Sequence, residues 1–376
     1  MNMALQPITV KELAQKILAN EDVFLLDIRE EEDYNDWSIQ GRNVTSMNIP
    51  FKQLENGTED VKKQLPENKT VYVVCAKGIS SQKGVEILEE AGVKNITYLE
   101  GGMTAWSEHL EPMKIGNLSN GGELFQFIRI GKGCLSYMII SNGEGAVIDP
   151  VRMTETYKNF AKEKNASITS VLDTHLHADH ISGGKILADQ SNAEYYFPPK
   201  DDEGVTFSYN KLEDGTTVTV GYSVEISAFY SPGHTIGSTS FIVDNKYLMT
   251  GDILFIESIG RPDLAGKAEE WVDDLRHTLY DRYEDLSKEL IVLPAHFGEM
   301  EEINEDGTVQ DLLGNLYQKN DRLQVEDEGE FRHLVTDNLP PQPNSHEEIR
   351  RTNMGKKDPE EEERREMEVG PNRCAI

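Results

Sequence analysis

Five of the nine histidines fall in three short motifs, each following an apolar stretch that predicts a β-strand. The motifs are THLHADH at 174–180, SPGH at 231–234 and LPAH at 293–296. Residues two apart on an extended segment point to the same side, so His175 and His177 are expected to converge on one centre. Imidazole and carboxylate groups at this density indicate a metal site for zinc, iron or manganese.

The candidate ligands are expected to surround two adjacent positions, because Asp179 and His180 turn away from the point on which His175 and His177 converge. The potential ligands are His175, His177, Asp179, His180, His234, Asp252 and His296. These residues alone permit either one metal ion or a dinuclear zinc site.

The first part of the chain has a different rhythm, in which short apolar segments such as VFLLDI, TVYVVC and ITYLEGG alternate with amphipathic helix patterns. This alternation predicts a parallel sheet with crossover helices. Cys75 ends the TVYVVC segment, so it is expected where a strand gives way to a loop and a helix. Ligands of open α/β sheets bind at such ends.

From residue 123 the pattern becomes that of an antiparallel meander, with FQFIRIG, CLSYMII and GAVIDP as successive strands. We therefore predict an N-terminal domain over 1–108, a linker over 109–122, a second domain over 123–337 and a charged tail over 338–376. The tail is rich in proline and charge, so we expect it to be extended and to wrap a neighbouring subunit of a homo-oligomer.

Composition limits the functions that are compatible with this plan. Lysine and arginine number 37 against 67 aspartates and glutamates, a net charge of -30, and such a surface repels nucleic-acid phosphates. Three scattered cysteines suit a reducing compartment. No apolar run is long enough to span a membrane, and the first residues do not resemble a signal peptide. We expect a cytoplasmic protein that binds neither nucleic acid nor membranes.

The segments DTHLHADHISGG, GCLSYMI, SPGHTIGS and TGDILFIESIGRPDL together resemble the persulfide dioxygenases of the metallo-β-lactamase superfamily. The resemblance implies an αββα sandwich and one Fe(II) per chain, held by His175, His234 and Asp252. His177, Asp179, His180 and His296 would then orient ligands and hold water, or bind a second metal. Arg261 would bind the substrate.

The segments LLDIREEEDYNDW, VVCAKGISSQKG and LEGGMTAW resemble a single-domain rhodanese over roughly residues 5–108. The resemblance implies that Cys75 carries sulfane sulfur as a persulfide. The loop that binds the anionic sulfur of this persulfide would be formed by Ala76, Lys77, Gly78, Ile79, Ser80 and Ser81. Cys134 lies in an apolar segment and is expected to pack in the core, and Cys374 is expected to be an inert exposed thiol.

Together, the two resemblances imply sulfide detoxification. A low-molecular-weight thiol persulfide would be oxidised by O2 to sulfite and thiol, and Cys75 would transfer sulfane sulfur between persulfide, sulfite and thiosulfate. The carrier thiol stays open among glutathione, bacillithiol, coenzyme A and cysteine. Two alternatives remain: a dinuclear zinc thioester hydrolase of the glyoxalase II type with an accessory rhodanese domain, and a non-catalytic N-terminal domain that relays sulfur or recruits a partner.

Overall fold

The computed structural model of the chain describes residues 6–262, 268–337, 339 and 342–370, so Cys374 lies outside the described residues. The chain divides into two compact units. The first unit contains the residues up to 111 together with 129–132 and 305–307. The second contains 112–128, 133–304 and the residues from 308 onwards.

The first unit is built on a four-stranded sheet in the order β2-β1-β3-β4, and every neighbouring pair is parallel. This confirms the predicted parallel sheet. Its elements are α1 (Val10–Leu18), β1 (Val23–Asp27), α2 (Glu31–Asp36), β2 (Val44–Asn48), α3 (Phe51–Asn56), α4 (Glu59–Lys62), β3 (Val71–Val74), α5 (Ile79–Glu90), β4 (Ile96–Tyr98) and α6 (Gly102–Glu108).

Local sequence explains where the first unit places its cysteine. All residues of β1 and most of β3 are buried, as expected for strands covered on both faces. Strand β3 ends at Val74, and Cys75 is the next residue. Gly78 adopts a left-handed conformation with φ of 83° and directly precedes α5. The chain can therefore turn from strand to helix within four residues, a conformation that glycine adopts readily.

The second unit contains two mixed sheets with helices. The strands are β5 (Glu111–Asn117), β6 (Glu123–Arg129), β7 (Cys134–Ser141), β8 (Glu144–Ile148), β9 (Ser167–Leu172), β10 (Glu194–Phe197), β11 (Asn210–Lys211), β12 (Thr217–Val220), β13 (Val224–Tyr230), β14 (Thr239–Val243), β15 (Tyr247–Gly251), β16 (Ile291–Pro294) and β17 (Asp311–Leu312). The helices are α7 (Thr154–Glu163), α8 (Gly184–Ser191), α9 (Ala268–His277), a π-helical turn (Thr278–Arg282), α10 (Leu313–Lys319), α11 (Glu328–Thr336), α12 (His346–Asn353) and α13 (Glu361–Met367).

The seven-stranded sheet runs β11-β10-β9-β8-β7-β6-β5 and the six-stranded sheet runs β12-β13-β14-β15-β16-β17. Strands β7 and β8 pair antiparallel, as the predicted meander requires. The metal-ligand motifs follow the ends of β9 in one sheet and of β13, β15 and β16 in the other. Both sheets therefore contribute to one cluster of side chains.

Two segments differ from the sequence-based expectation. The predicted linker over 109–122 contains β5, the edge strand of the seven-stranded sheet, which is only partly buried and so carries little apolar alternation. The described part of the tail is not extended but contains α12 and α13. Each of these helices buries a single apolar residue, Ile349 or Met367, in a small cluster with Ile181, so neither has a strong apolar pattern.

Among the described residues, no helix has both the length and the apolar composition that a membrane crossing requires.

Candidate metal centre and cysteine loop

His175, His234 and Asp252 form a compact group of buried donors. Their ligand atoms all lie within 4.8 Å of one another. His175 Nε2 is 3.7 Å and His234 Nε2 is 3.5 Å from Asp252 Oδ2. The loops after β9, β13 and β15 each supply one residue, so the group depends on the packing of both sheets. We call it the first metal position.

The atoms of the first metal position that face each other lack hydrogen-bond partners. Among the described residues, His175 Nε2, His234 Nε2 and both carboxylate oxygens of Asp252 accept or donate no hydrogen bond. Each such buried atom costs about 1–3 kcal/mol when it is left unsatisfied. A bound cation would satisfy all of them at once, so the residues fit a divalent metal.

In both histidines of the first metal position, the other ring nitrogen, Nδ1, is also in contact with a polar group. His175 Nδ1 lies 2.9 Å from Thr174 Oγ1, and His234 Nδ1 donates to the backbone oxygen of Arg261 over 2.8 Å. Burial lowers the pKa of both histidines, which favours the neutral form with a free lone pair at Nε2. Burial alone would raise the pKa of Asp252, but the adjacent His296 and His175 hold it below its ordinary value.

Asp179, His180 and His296 lie beside the first metal position, and we call this group the second metal position. His296 Nε2 lies 3.3 Å from Asp179 Oδ2 and 3.2 Å from Asp252 Oδ1. His180 Nδ1 lies 3.1 Å from both oxygens of Asp179. Burial lowers the pKa of His180, but Asp179 more than offsets this and raises it to about 9. The structure thus brings all seven predicted residues together, and none is more than 2% exposed.

His177 contacts two carboxylates that the sequence analysis missed. Its Nε2 lies 3.3 Å from Asp149 Oδ1 and 3.8 Å from Asp173 Oδ1. Burial lowers the pKa of His177, but hydrogen bonds to Asp149 and Asp173 raise it well above the ordinary value. The signal was present in the sequence, because Asp149 and Asp173 also stand directly after predicted strands.

Cys134 was expected to pack in the core, and it is buried, but its sulfur faces the second metal position. Sγ lies 3.7 Å from Asp179 Oδ2. Burial alone would raise the thiol pKa, whereas His296 and His180 lower it to about 6. Arg261, predicted to bind substrate, is 1% exposed, and its backbone oxygen supports His234.

Side chains near the C-terminal helices α12 and α13 form hydrogen bonds with the loop over 177–182, which carries three candidate ligands. Asn353 Nδ2 donates to the backbone oxygens of His177 and His180, both over 2.9 Å, and its Oδ1 accepts from Ser182 N over 3.0 Å. Glu368 accepts from Ile181 N over 2.8 Å. Consecutive residues of the loop therefore depend on side chains about 170–190 residues later in the sequence.

Replacing Asn353 with alanine should weaken metal binding although the residue contacts no metal. The substitution removes three hydrogen bonds from the loop, and loss of groups that orient ligands costs about 10- to 100-fold in metal affinity. Titration of the metal-free protein with Co(II) measures this effect. Asn43→Ala, which removes a surface hydrogen bond to Asn20, is the control and should leave the affinity unchanged. Equal affinities for both variants would contradict the prediction.

Backbone N–H groups converge on the sulfur of Cys75 in the first unit. Gly78 N donates to Sγ over 3.2 Å and Ser81 N over 3.3 Å, while Ser81 Oγ lies 3.3 Å from the sulfur. Cys75 itself is 5% exposed. The start of α5 adds the positive end of a helix dipole, so the loop favours negative charge at the sulfur.

Of the other residues predicted to form this loop, some are buried near the sulfur of Cys75 and others are exposed to solvent. Ser81 is fully buried and contacts the sulfur, whereas Ser80 is only partly buried. Ala76, Lys77 and Ile79 are exposed, and the side chain of Ile79 is 67% accessible. The loop is therefore a buried anion cradle whose outer edge is open to solvent.

A second glycine turn supports the cysteine loop from behind. Met103 N donates to the backbone oxygen of Cys75 over 2.9 Å, and Thr104 N donates to that of Ala76 over 3.0 Å. A Cβ atom added at Gly102 would lie 2.2 Å from the Cys75 oxygen, and Gly102 has φ of 58°. Only glycine fits this position without movement of the loop.

Replacing Gly102 with alanine should destabilise the first unit and displace Cys75. A left-handed φ costs an alanine about 1–2 kcal/mol, and overpacking adds about 1–3 kcal/mol. Gly92→Ala is a matched control in the same unit, since Gly92 has φ of 87° but its added Cβ would meet only the end of Lys62. Urea unfolding should show the larger loss for Gly102→Ala; equal losses would mean that the contact with Cys75 is unimportant.

Two family descriptions match the chain. "Rhodanese-like domain" matches residues 9–109, and "Metallo-beta-lactamase superfamily" matches residues 129–296. The first match contains Cys75 and its loop, and the second contains all seven candidate metal ligands.

Curated relatives with two different names are similar to part of the chain. The cytoplasmic hydroxyacylglutathione hydrolase of Arabidopsis thaliana is 34% identical over 153 residues, which are 38% of this chain and 57% of that protein. The mitochondrial persulfide dioxygenase ETHE1 of Homo sapiens is 30% identical over 161 residues, 41% of this chain and 59% of that protein. The chain therefore spans little more than half the length of these relatives.

Solved structures share the fold. A metallo-beta-lactamase from Staphylococcus aureus matches with a TM-score of 0.57 and 25% identity, over 64% of this chain and 74% of that one. ETHE1 from Myxococcus xanthus matches with a TM-score of 0.54 and 22% identity, over 62% of this chain and 98% of that one.

Proposed function

Since the chain carries a rhodanese-like domain followed by a metallo-β-lactamase domain, we propose that it is a persulfide dioxygenase with a sulfurtransferase domain. In the proposed reaction, RSSH, O2 and water give RSH, sulfite and two protons. The first metal position carries this proposal. Two histidines and one carboxylate in a compact group are the ligand set of non-haem Fe(II) oxygenases, and they leave positions open for dioxygen and substrate.

The side chains of the second unit have distinct tasks in this reaction. His175, His234 and Asp252 would bind one Fe(II), which supplies the redox chemistry that joins dioxygen to the terminal sulfur. Thr174 and the backbone oxygen of Arg261 fix the ring orientations of the two histidines. His296, 3.2 Å from Asp252 and 3.3 Å from Asp179, lies at the edge of this group and connects it to the second metal position. We propose that Arg261, which is buried and whose backbone oxygen contacts His234, contributes to substrate binding.

In the first unit, Cys75 would carry sulfane sulfur. A Cys75 persulfide attacked by sulfite gives the Cys75 thiolate and thiosulfate, with the S–S bond of the persulfide broken and one S–S bond formed in thiosulfate. The reverse transfer uses the same groups. The N–H groups of Gly78 and Ser81 would stabilise the anionic sulfur in either direction. Sulfite is the product of one domain and the acceptor of the other, so both domains would serve sulfide detoxification in the cytoplasm.

The proposal is tested by metal analysis combined with oxygen consumption. Protein purified without air should contain about one iron per chain. It should consume oxygen when a freshly made persulfide of glutathione, bacillithiol, coenzyme A or cysteine is added, and the fastest of these identifies the carrier thiol. Sulfite and thiosulfate are measured as products. Two zinc ions per chain without persulfide-dependent oxygen uptake would refute the dioxygenase.

A dinuclear zinc thioester hydrolase is the second candidate. It is favoured by the presence of all seven ligands and by Asp252, which lies beside both metal positions. The similarity to a hydroxyacylglutathione hydrolase supports it too. Hydrolysis of a glutathione thioester by the zinc-loaded protein, in the absence of oxygen, distinguishes this activity from the first.

A further inference from the structure

We propose that Cys134 is a ligand of the second metal position, where it forms a thiolate-containing site for a thiophilic divalent cation such as Zn(II) with Asp179 and His296. The ligand atoms of these three residues all lie within 4.8 Å of one another. Sulfur, imidazole nitrogen and carboxylate oxygen are the donors from which protein zinc sites are built. The proposal concerns metal binding alone and holds whichever reaction the protein catalyses.

The distances between the donors suit a tetrahedral ion. With Zn–S of about 2.3 Å and Zn–O of about 2.1 Å, sulfur and oxygen donors at the tetrahedral angle lie about 3.6 Å apart. Cys134 Sγ and Asp179 Oδ2 are 3.7 Å apart. A nitrogen and an oxygen ligand at the same angle lie about 3.4 Å apart, and His296 Nε2 is 3.3 Å from Asp179 Oδ2. Both distances to Asp179 therefore suit a single ion without a large movement of either pair.

The backbone fixes Cys134 beside His296. The two residues form an antiparallel β-bridge. Leu135 N donates to the Ala295 oxygen over 2.7 Å, and Phe297 N donates to the Gly133 oxygen over 3.1 Å. Residues opposite each other in such a pair have Cβ atoms about 4.5–5.5 Å apart on the same side. The thiol and the imidazole are therefore held together by main-chain hydrogen bonds and not only by side-chain packing.

Buried polar atoms around this group indicate a missing partner. His180 Nε2 has no hydrogen-bond partner among the described residues, and His180 is 2% exposed. Asp252 Oδ1, also without a hydrogen bond there, lies 3.2 Å from His296 Nε2. A cation bound by Cys134, Asp179 and His296 would lie close to both atoms. Binding would release the thiol proton of Cys134 to solvent as the sulfur–metal bond forms.

Titration of the metal-free protein with Co(II) tests this site directly, because a thiolate bound to Co(II) adds a charge-transfer band in the near ultraviolet. The wild-type protein should bind two Co(II) per chain and show the band. Cys134→Ser should lose the band and bind the second Co(II) at least about 100-fold more weakly, a larger effect than loss of an orienting group. The visible bands of Co(II) at the first metal position should remain, which also shows that the variant is folded.

Cys75→Ser is the matched control, since it removes the other described cysteine and should keep the band. A band that survives in Cys134→Ser, or a wild-type protein without the band, overturns the proposal. If Cys134→Ser does not fold, zinc X-ray absorption of the wild-type protein replaces it. One sulfur neighbour at about 2.3 Å is expected, and zinc bound by nitrogen and oxygen alone would overturn the proposal.

Discussion

Replacing His234 with alanine should abolish persulfide-dependent oxygen uptake and iron binding while the chain remains folded. The residue is fully buried, and it is one of the three residues that define the first metal position. Loss of an orienting group costs about 10- to 100-fold in metal affinity, so loss of a ligand should cost more than about 100-fold. Iron content and oxygen consumption are measured on the same sample.

His277→Ala is the control for this variant. The side chain of His277, the last residue of α9, is 60% exposed and pairs with Asp281 in the following π-helical turn, so this residue should be replaceable without effect. The His234→Ala variant should still transfer sulfur from thiosulfate at the wild-type rate, because Cys75 lies in the other unit. Full oxygen uptake in His234→Ala would show that the first metal position is not the catalytic centre.

Replacing Cys75 with serine should abolish sulfur transfer and leave oxygen uptake at the wild-type level. Serine keeps the size of the side chain and its hydrogen bonds to Gly78 N and Ser81 N, but its oxygen cannot carry sulfane sulfur as a persulfide. With persulfide and oxygen supplied, the variant should release sulfite and form no thiosulfate. Product analysis by chromatography of the trapped sulfur species measures both.

The two variants together form a crossed test of the two domains. Each should lose one half-reaction and keep the other. Loss of both activities in Cys75→Ser, with the iron retained, would mean that the dioxygenase needs the cysteine. If Cys75→Ser instead retained sulfur transfer, another thiol would carry the sulfur and the first unit would have a recruiting function.

Motif position explains why the site was predictable from sequence. Apolar runs in the sequence indicate strands. The histidine motifs and Cys75 directly follow such runs, so their placement at the ends of strands could be inferred without knowing the topology. The parallel order of the first sheet was likewise visible in the alternation of strands and helices. Family resemblance then indicated which of the residues form one group.

Contacts between distant parts of the sequence explain what was missed. Cys134 lies in an apolar strand, and only its β-bridge with His296 brings the sulfur to the second metal position. Asn353 lies in a charged segment whose two helices bury one apolar residue each. Neither residue has a local pattern that distinguishes it from a packing cysteine or a surface asparagine, so its role depends on tertiary structure.

The loop over 177–182, which carries three candidate metal ligands, is fastened by Asn353 and Glu368, which lie near the end of the chain. During translation these residues emerge from the ribosome after every candidate ligand has been made. Since synthesis proceeds at about 5–20 residues per second, these side chains are made about 10–40 s after the loop that they hold. Metal insertion into a fully formed site is therefore expected only after residue 368 has been synthesised, and a ribosome-stalled chain that lacks α12 and α13 should bind metal poorly.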